Sequence, residues 1–259
     1  NITLSDGSVG IFSRGKGTET ADRNIVTNTG NVTVGKSLTD APSVGIYSEN
    51  TKLDTDSNVT VGENGIAFYG KHSEITAKGT ANFQNKGVLA YLENSKFTSY
   101  LGNLSATQNT MMYLKNSEAN LAGSGTKVDM TVADNYTGAY IEGTSKLTGI
   151  KTVELGKNST FGLLNGNGNA TASPVLSKFL NASATTGKIA VTQYGEGASL
   201  FYATSKANAV LDEDYTIANG NAASTSVLVA DDGATVEIAS GKTLTTNTNV
   251  GLIATKGAG

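Results

Sequence analysis

Four tyrosines, Tyr47, Tyr69, Tyr91 and Tyr113, stand 22 residues apart, and each opens a near-copy of one phrase. The copies read Tyr-Ser-Glu-Asn-Thr-Lys-Leu from Tyr47, Tyr-Gly-Lys-His-Ser-Glu-Ile from Tyr69, Tyr-Leu-Glu-Asn-Ser-Lys-Phe from Tyr91 and Tyr-Leu-Lys-Asn-Ser-Glu-Ala from Tyr113. Looser copies sit at Phe12, near Leu163, and at Tyr140, Tyr202, Ala230 and Ala254. A fixed period of this length marks stacked repeats. The unit is too short for a helix pair or a four-stranded propeller blade, which leaves coils of short strands.

Around each tyrosine the pattern alternates with period two, as strands do. Val44 and Ile46, Ile66 and Phe68, Val88, Ala90 and Leu92, Met112 and Leu114, and Ala139 and Ile141 form an inward row. The tyrosine and the charged residue two places on then face outward. Three places after the anchor come Asn50, His72, Asn94, Asn116 and Gly143, with Gly15, Gly233 and Gly257 in the looser copies. These residue types accept positive φ most readily, so the column predicts a left-handed corner. Leu53, Ile75, Phe97 and Leu147 open a second strand, and Val32-Thr33-Val34 and Val59-Thr60-Val61 mark a third. The expected architecture is an all-β parallel β-helix solenoid of about ten coils, three short strands per coil.

Two columns of alternating charge fit such a stack. Two places after the anchor the residues are Glu49, Lys71, Glu93, Lys115 and Glu142, and five places after it Lys52, Glu74, Lys96 and Glu118. Stacked coils would set opposite charges side by side in both columns, and a slip by one coil would set like charges together.

Composition agrees with the pattern and narrows function. Gly 31 with Pro 2, no Trp and abundant Thr, Asn and Ser suit short strands joined by tight polar turns. A net charge of −3 carries no electrostatic footprint for nucleic acid. Arg14 and Arg23 are the only arginines, so bidentate clamping of phosphates or uronates is poorly supplied. Zero cysteines exclude disulfides, thiolate metal sites and cysteine nucleophiles. No apolar run approaches a membrane span. The chain opens and stops inside repeats, as a piece cut from a longer array would. One elongated domain spanning 1–259, monomeric, is the expectation.

The period fails in two places. Phe12 to Tyr47 exceeds it by 13 residues, which predicts an insertion near 16–28. Leu163 to Tyr202 carries a second, over 165–187, where Ser173 as N-cap, Pro174 at the first helical position and the i to i+4 pairs Val175/Phe179 and Leu176/Leu180 predict a short helix near 173–182.

Little chemistry is visible. His72 is the sole histidine and occupies the corner column, where a turn residue is the simpler reading. Asp54-Thr55-Asp56 opens like a calcium loop but lacks the Gly and Glu that complete one. Asp212, Glu213, Asp214, Asp231 and Asp232 are the carboxylates an enzyme would use, and solvated corners explain them as well. No catalytic residue, metal ligand or cofactor site is assigned. The candidate binding surface is the outward column Tyr47, Tyr69, Tyr91, Tyr113 and Tyr140, with Lys178 and Phe179 of the second insertion. For that column, mutual stacking or a core-facing orientation is the alternative to binding.

The run Gly87-Val88-Leu89-Ala90-Tyr91-Leu92-Glu93-Asn94-Ser95-Lys96, in a cysteine-free Gly/Asn/Thr-rich chain, resembles the passenger regions of bacterial type V autotransporters, and most of all the very large fusobacterial outer-membrane adhesins. The resemblance extends over the whole chain, though its motifs specify coils and not a ligand. It implies a right-handed β-helix exported to the bacterial surface, anchored in the outer membrane through a barrel elsewhere in the parent protein. A non-enzymatic adhesin is implied, with partners among host-cell or bacterial surface proteins and glycans. A polysaccharide lyase or hydrolase and a pure spacer are the competing readings.

Overall fold

The computed structural model describes residues 1–102, 104–106, 110–166, 175–178, 188–211, 214–217, 226–246 and 251–254. The chain is an all-β parallel β-solenoid with three parallel faces, and among the described residues it has no α-helix. It divides into two compact units, Asn1–Leu101 with Gln108–Gly125, and Gly102–Thr107 with Thr126–Gly259.

In the first unit the tyrosine face stacks Val9–Arg14, Val44–Glu49, Ile66–Lys71, Val88–Glu93 and Met112–Lys115. The second face stacks Asn24–Asn28, Thr51–Thr55, Glu74–Ala77, Lys96–Ser99 and Glu118–Asn120. The third stacks Ile2–Thr3, Val32–Val34, Val59–Val61 and Ala81–Phe83. In the second unit the tyrosine face comprises Thr137–Glu142, Thr160–Asn165, Ser199–Thr204, Ser226–Ala230 and Gly251–Ala254. Among the described residues, coils with a strand on all three faces number four in each unit, fewer than the about ten predicted from the anchors.

Register follows the repeat. Tyr47 pairs with Tyr69, Tyr69 with Tyr91 and Tyr91 with Tyr113, so each sequence period is one coil. The predicted corner is left-handed at Asn50 (φ 42°), His72 (φ 50°), Asn94 (φ 48°), Asn116 (φ 47°) and Gly143 (φ 67°). The first coil differs. Gly15 is not left-handed, and it is glycine because a Cβ there would meet the Asn50 carbonyl oxygen at 2.2 Å.

The late anchors shift by one residue. Tyr202 pairs with Val229 and Val229 with Ile253, so these two, and not Ala230 and Ala254, occupy the tyrosine register. The error came from aligning Gly233 to the corner. That corner uses two left-handed residues, Asp232 (φ 48°) and Gly233 (φ 73°), and the first of them holds the Asn position.

The inward row is buried, with Ile46, Ala90, Leu92, Met112 and Ala139 at 0% exposure. Simple alternation misses a second inward column, two places before the anchor. Ala67, Leu89, Met111, Phe161, Leu200 and Val227 lie there at 0–1% exposure. Gly10, Gly45 and Gly138 hold the same position, and a Cβ on Gly45 would meet Val59 Cγ1 at 2.4 Å. The strand enters from a corner, so the positions three, two and one before the anchor all turn inward, and glycine fills the column where valines cross from the third face.

A hydroxyl ladder backs the corners. The backbone N–H groups of Thr51, Ser73 and Ser95 donate to the side-chain oxygens of Ser73, Ser95 and Ser117 at 3.0–3.1 Å. Each serine hydroxyl in turn donates to a carbonyl two residues back, Lys71, Glu93 and Lys115 at 2.7–2.9 Å. Every member is thereby satisfied although buried.

The 13 extra residues between Phe12 and Tyr47 divide between two corners. Arg14 and Asn24 pair with Glu49 and Thr51, which puts eight extra residues in 15–23, including a 3-10 turn at Thr20–Asp22. Val34 and Val44 pair with Val61 and Ile66, which puts five more in the next corner. Residues 24–28, expected within the insertion, form a regular second-face strand because their edge completes the ladder with Thr51–Thr55.

The expected helix near 173–182 is also corrected where it is described. Val175–Lys178 is a strand paired with Ala207–Val210. The i to i+4 apolar pairs are too short a signal to outweigh a free strand edge. The rest of that stretch, Phe179 included, lies outside the described residues.

Candidate functional site: an aromatic and charge ladder

The coil period converts a sequence column into a physical one. On the tyrosine face of the first unit, the rings of Phe12, Tyr47, Tyr69, Tyr91 and Tyr113 stack in series. Centroids are 5.0, 4.7, 5.3 and 5.6 Å apart, and the planes are inclined by 11°, 6°, 3° and 29°. The tyrosines are half-buried and face outward, while Phe12 is 62% exposed. Stacking at strand spacing covers most of each ring's faces, so solvent meets ring edges and hydroxyls.

Burial shifts the phenols. Tyr69 is pushed up to about 12, first by desolvation and then by the neighbouring Tyr47, Glu93, Tyr91 and Glu49. Tyr47 is raised by burial, then by Glu49, whose Oε2 accepts its hydroxyl at 3.3 Å. Near neutral pH these two rings present a protonated hydroxyl edge.

Beside the rings runs the charge ladder. Arg14, Glu49, Lys71, Glu93 and Lys115 are successive register partners. Glu49 sits between Arg14 Nε at 3.1 Å and Lys71 Nζ at 3.5 Å, its side chain 14% exposed. Arg14 was missed as a ladder member, although it stands at the same offset from Phe12 as Glu49 from Tyr47. The other column, Lys52, Glu74, Lys96 and Glu118, is likewise in register. Its Glu74 is engaged by Arg23, whose Nη1 reaches over an intervening coil to Oε1 at 2.7 Å. Nothing in the sequence pattern signals that contact.

In the second unit the aromatic column is interrupted. Tyr140, Leu163, Tyr202, Val229 and Ile253 are register partners in that order. The Tyr140 hydroxyl accepts from Asn165 Nδ2, and the Tyr202 hydroxyl donates to Asp231 Oδ2 at 2.7 Å, a bond that raises the Tyr202 pKa ahead of burial. Lys178 pairs in register with Lys146 and with Val210, away from the tyrosine face.

Among the described residues, the carboxylates an enzyme would use do not form one cluster. Asp214 Oδ1 accepts the Thr243 amide and hydroxyl at 2.8 and 2.9 Å. Asp231 takes the Tyr202 hydroxyl and the Asp232 amide, and Asp212 and Glu213 lie outside the described residues. His72 serves as a corner residue, and Asp54 pairs with Lys78 Nζ at 2.7 Å. Among the described residues no group of three or more His, Cys, Asp or Glu could hold a metal ion. Comparison with protein-family models, curated proteins and solved structures found no match to this chain.

Proposed function

We propose that this chain is a surface-exposed adhesin segment, part of a right-handed β-helix passenger that a bacterial type V autotransporter carries outside the cell. The parent protein anchors it in the outer membrane, and its partners are host-cell or bacterial surface proteins or glycans. It acts as a monomer and catalyses nothing.

The observation that carries the reading is the outward aromatic and charge ladder of the first unit. Five rings and five charged side chains are held in register by backbone pairing. Such a surface has little rotamer freedom left to lose when a partner docks, and tyrosine joins apolar area to a polar edge. Asp214 and Asp231, two of the carboxylates an enzyme would use, are each held in separate hydrogen bonds. Cysteine-free composition suits a chain that crosses the outer membrane unfolded.

The test is adhesion of purified protein to host epithelial cells and to partner bacteria. Wild type is expected to bind, and the double substitution Tyr69→Ser with Tyr91→Ser to bind at least about tenfold more weakly, the range of a lost aromatic anchor. Equal binding by both proteins would remove the ladder from the reading. Cleavage of polysaccharide that an Asp or Glu substitution abolishes would replace it with an enzyme.

A further inference from the structure

The repeat supplies its own control for what the fold requires. Just past the third-face strands of both units lies a corner with a left-handed residue, at Asn64 (φ 57°), Lys86 (φ 57°), Asn135 (φ 65°), Asn158 (φ 51°) and Gly197 (φ 70°). The next residue is Gly65, Gly87, Tyr136, Ser159 and Ala198 in turn. Four of these are small, and Ser159 and Ala198 are buried at 1% and 0% exposure. A Cβ at Gly87 would meet Phe83 Cβ at 2.5 Å, and at Gly65 it would meet Val61 Cβ at 2.9 Å. Tyr136 is the large exception, and the coil does not need it.

Beside Tyr136 lies a cleft of about 370 Å³, contained in the second unit. Tyr136 and Ala133 supply its apolar side, and its polar groups are Thr131, Asp134 and Glu154. Thr131 Oγ1 donates to Glu154 Oε2 at 3.4 Å, and Asp134 Oδ1 accepts the Lys157 amide at 2.7 Å. Asp134 and Glu154 are both exposed, so they meet a ligand without prior burial of charge.

We propose that this cleft binds one neutral sugar residue of a surface glycan. The volume suits a small ligand. An aromatic ring matches the C–H face of a pyranose, and carboxylate oxygens accept from vicinal hydroxyls. Two carboxylates with no lining cation repel an acidic sugar. The biological role of the site rests on the adhesin reading and deepens it by naming the ligand class. The binding itself does not depend on that reading.

The test is saturation-transfer NMR on the full chain. The probes are methyl glycosides of neutral hexoses and N-acetylhexosamines, with sialic acid as the acidic counterpart. At least one neutral glycoside is expected to bind, and sialic acid to bind more weakly than it does. Tyr136→Ser, which installs the residue type that Ser159 carries, and Glu154→Gln are each expected to weaken binding about tenfold, the cost of one lost recognition group. Ile25→Ser, at an exposed first-unit position with no assigned role, should leave it unchanged. Should Tyr136→Ser fail to fold by circular dichroism, Glu154→Gln alone decides. No binding by any neutral glycoside, or binding that survives both substitutions, or binding lost equally on Ile25→Ser, overturns the site. Sugar binding without cell adhesion leaves the site standing and removes the adhesin reading, and adhesion without sugar binding does the reverse.

Discussion

The tyrosine face is built twice and differs between the units. In the first, the anchor column is Phe12, Tyr47, Tyr69, Tyr91 and Tyr113, and the rings stack without a break. In the second it is Tyr140, Leu163, Tyr202, Val229 and Ile253, and the hydroxyls of Tyr140 and Tyr202 turn to Asn165 and Asp231 instead. Both versions make parallel coils, so the backbone needs no aromatic in that column. What a β-solenoid requires is the inward row and the corner. The outward column can change without altering either.

That contrast can be broken most sharply from inside. Gly45→Val drives a side chain into Val59 and should cost about 3 kcal/mol by overpacking. Gly138→Ala, in the second unit, meets the flexible end of Met130 at 2.5 Å, though the Phe161 carbonyl also stands at 2.8 Å. Its expected cost is smaller, about 1 kcal/mol. Urea unfolding of both variants checks the order.

Charge register comes next. Lys71→Glu would set three acids in succession in the first unit and should cost about 1 kcal/mol, with little recovered by adding Glu49→Lys, because the new lysine then stands beside Arg14. In the second unit the same column continues through Asn165 and Thr204, so Thr204→Lys should cost less than about 0.5 kcal/mol. Denaturation midpoints in low and high salt separate the two, because only the first should shrink with salt.

Alkali probes the rings directly. An unfolded tyrosine ionises near 10, and folded Tyr69 holds its proton to about 12. Between those values the folded state binds more protons than the unfolded, so stability falls as pH rises and the contribution is intact below 10. Tyrosinate absorbance should show Tyr69→Phe deleting a phenol that titrates near 12. The smallest effect is expected of Leu163→Tyr, which fills the gap between Tyr140 and Tyr202. It should add less than about 1 kcal/mol and strengthen the near-ultraviolet circular dichroism.

The period alone made faces, corners and both charge columns legible, because each is a residue type repeated at one offset. Asn50, His72, Asn94 and Asn116 announce their backbone conformation through composition alone. The inward column two places before the anchor was not legible. Glycine, alanine, leucine, methionine and phenylalanine all occupy it, and only the valines opposite explain which. The strand Val175–Lys178 was misread because four residues carry too little periodicity to compete with a neighbouring edge. Among site residues, the tyrosine column was visible and its interruption was half visible. The reach of Arg23 to Glu74 depends on an excursion whose path only three dimensions define.

The hydroxyl ladder from Thr51 to Ser117 runs one way. Each coil's amide waits for a hydroxyl that the following coil brings. A chain folding from its amino end therefore always leaves one such donor to water at its open edge, until the next coil both covers it and brings the hydroxyl that replaces the water. Each coil, on docking, answers the one before it and poses the same demand to the one after.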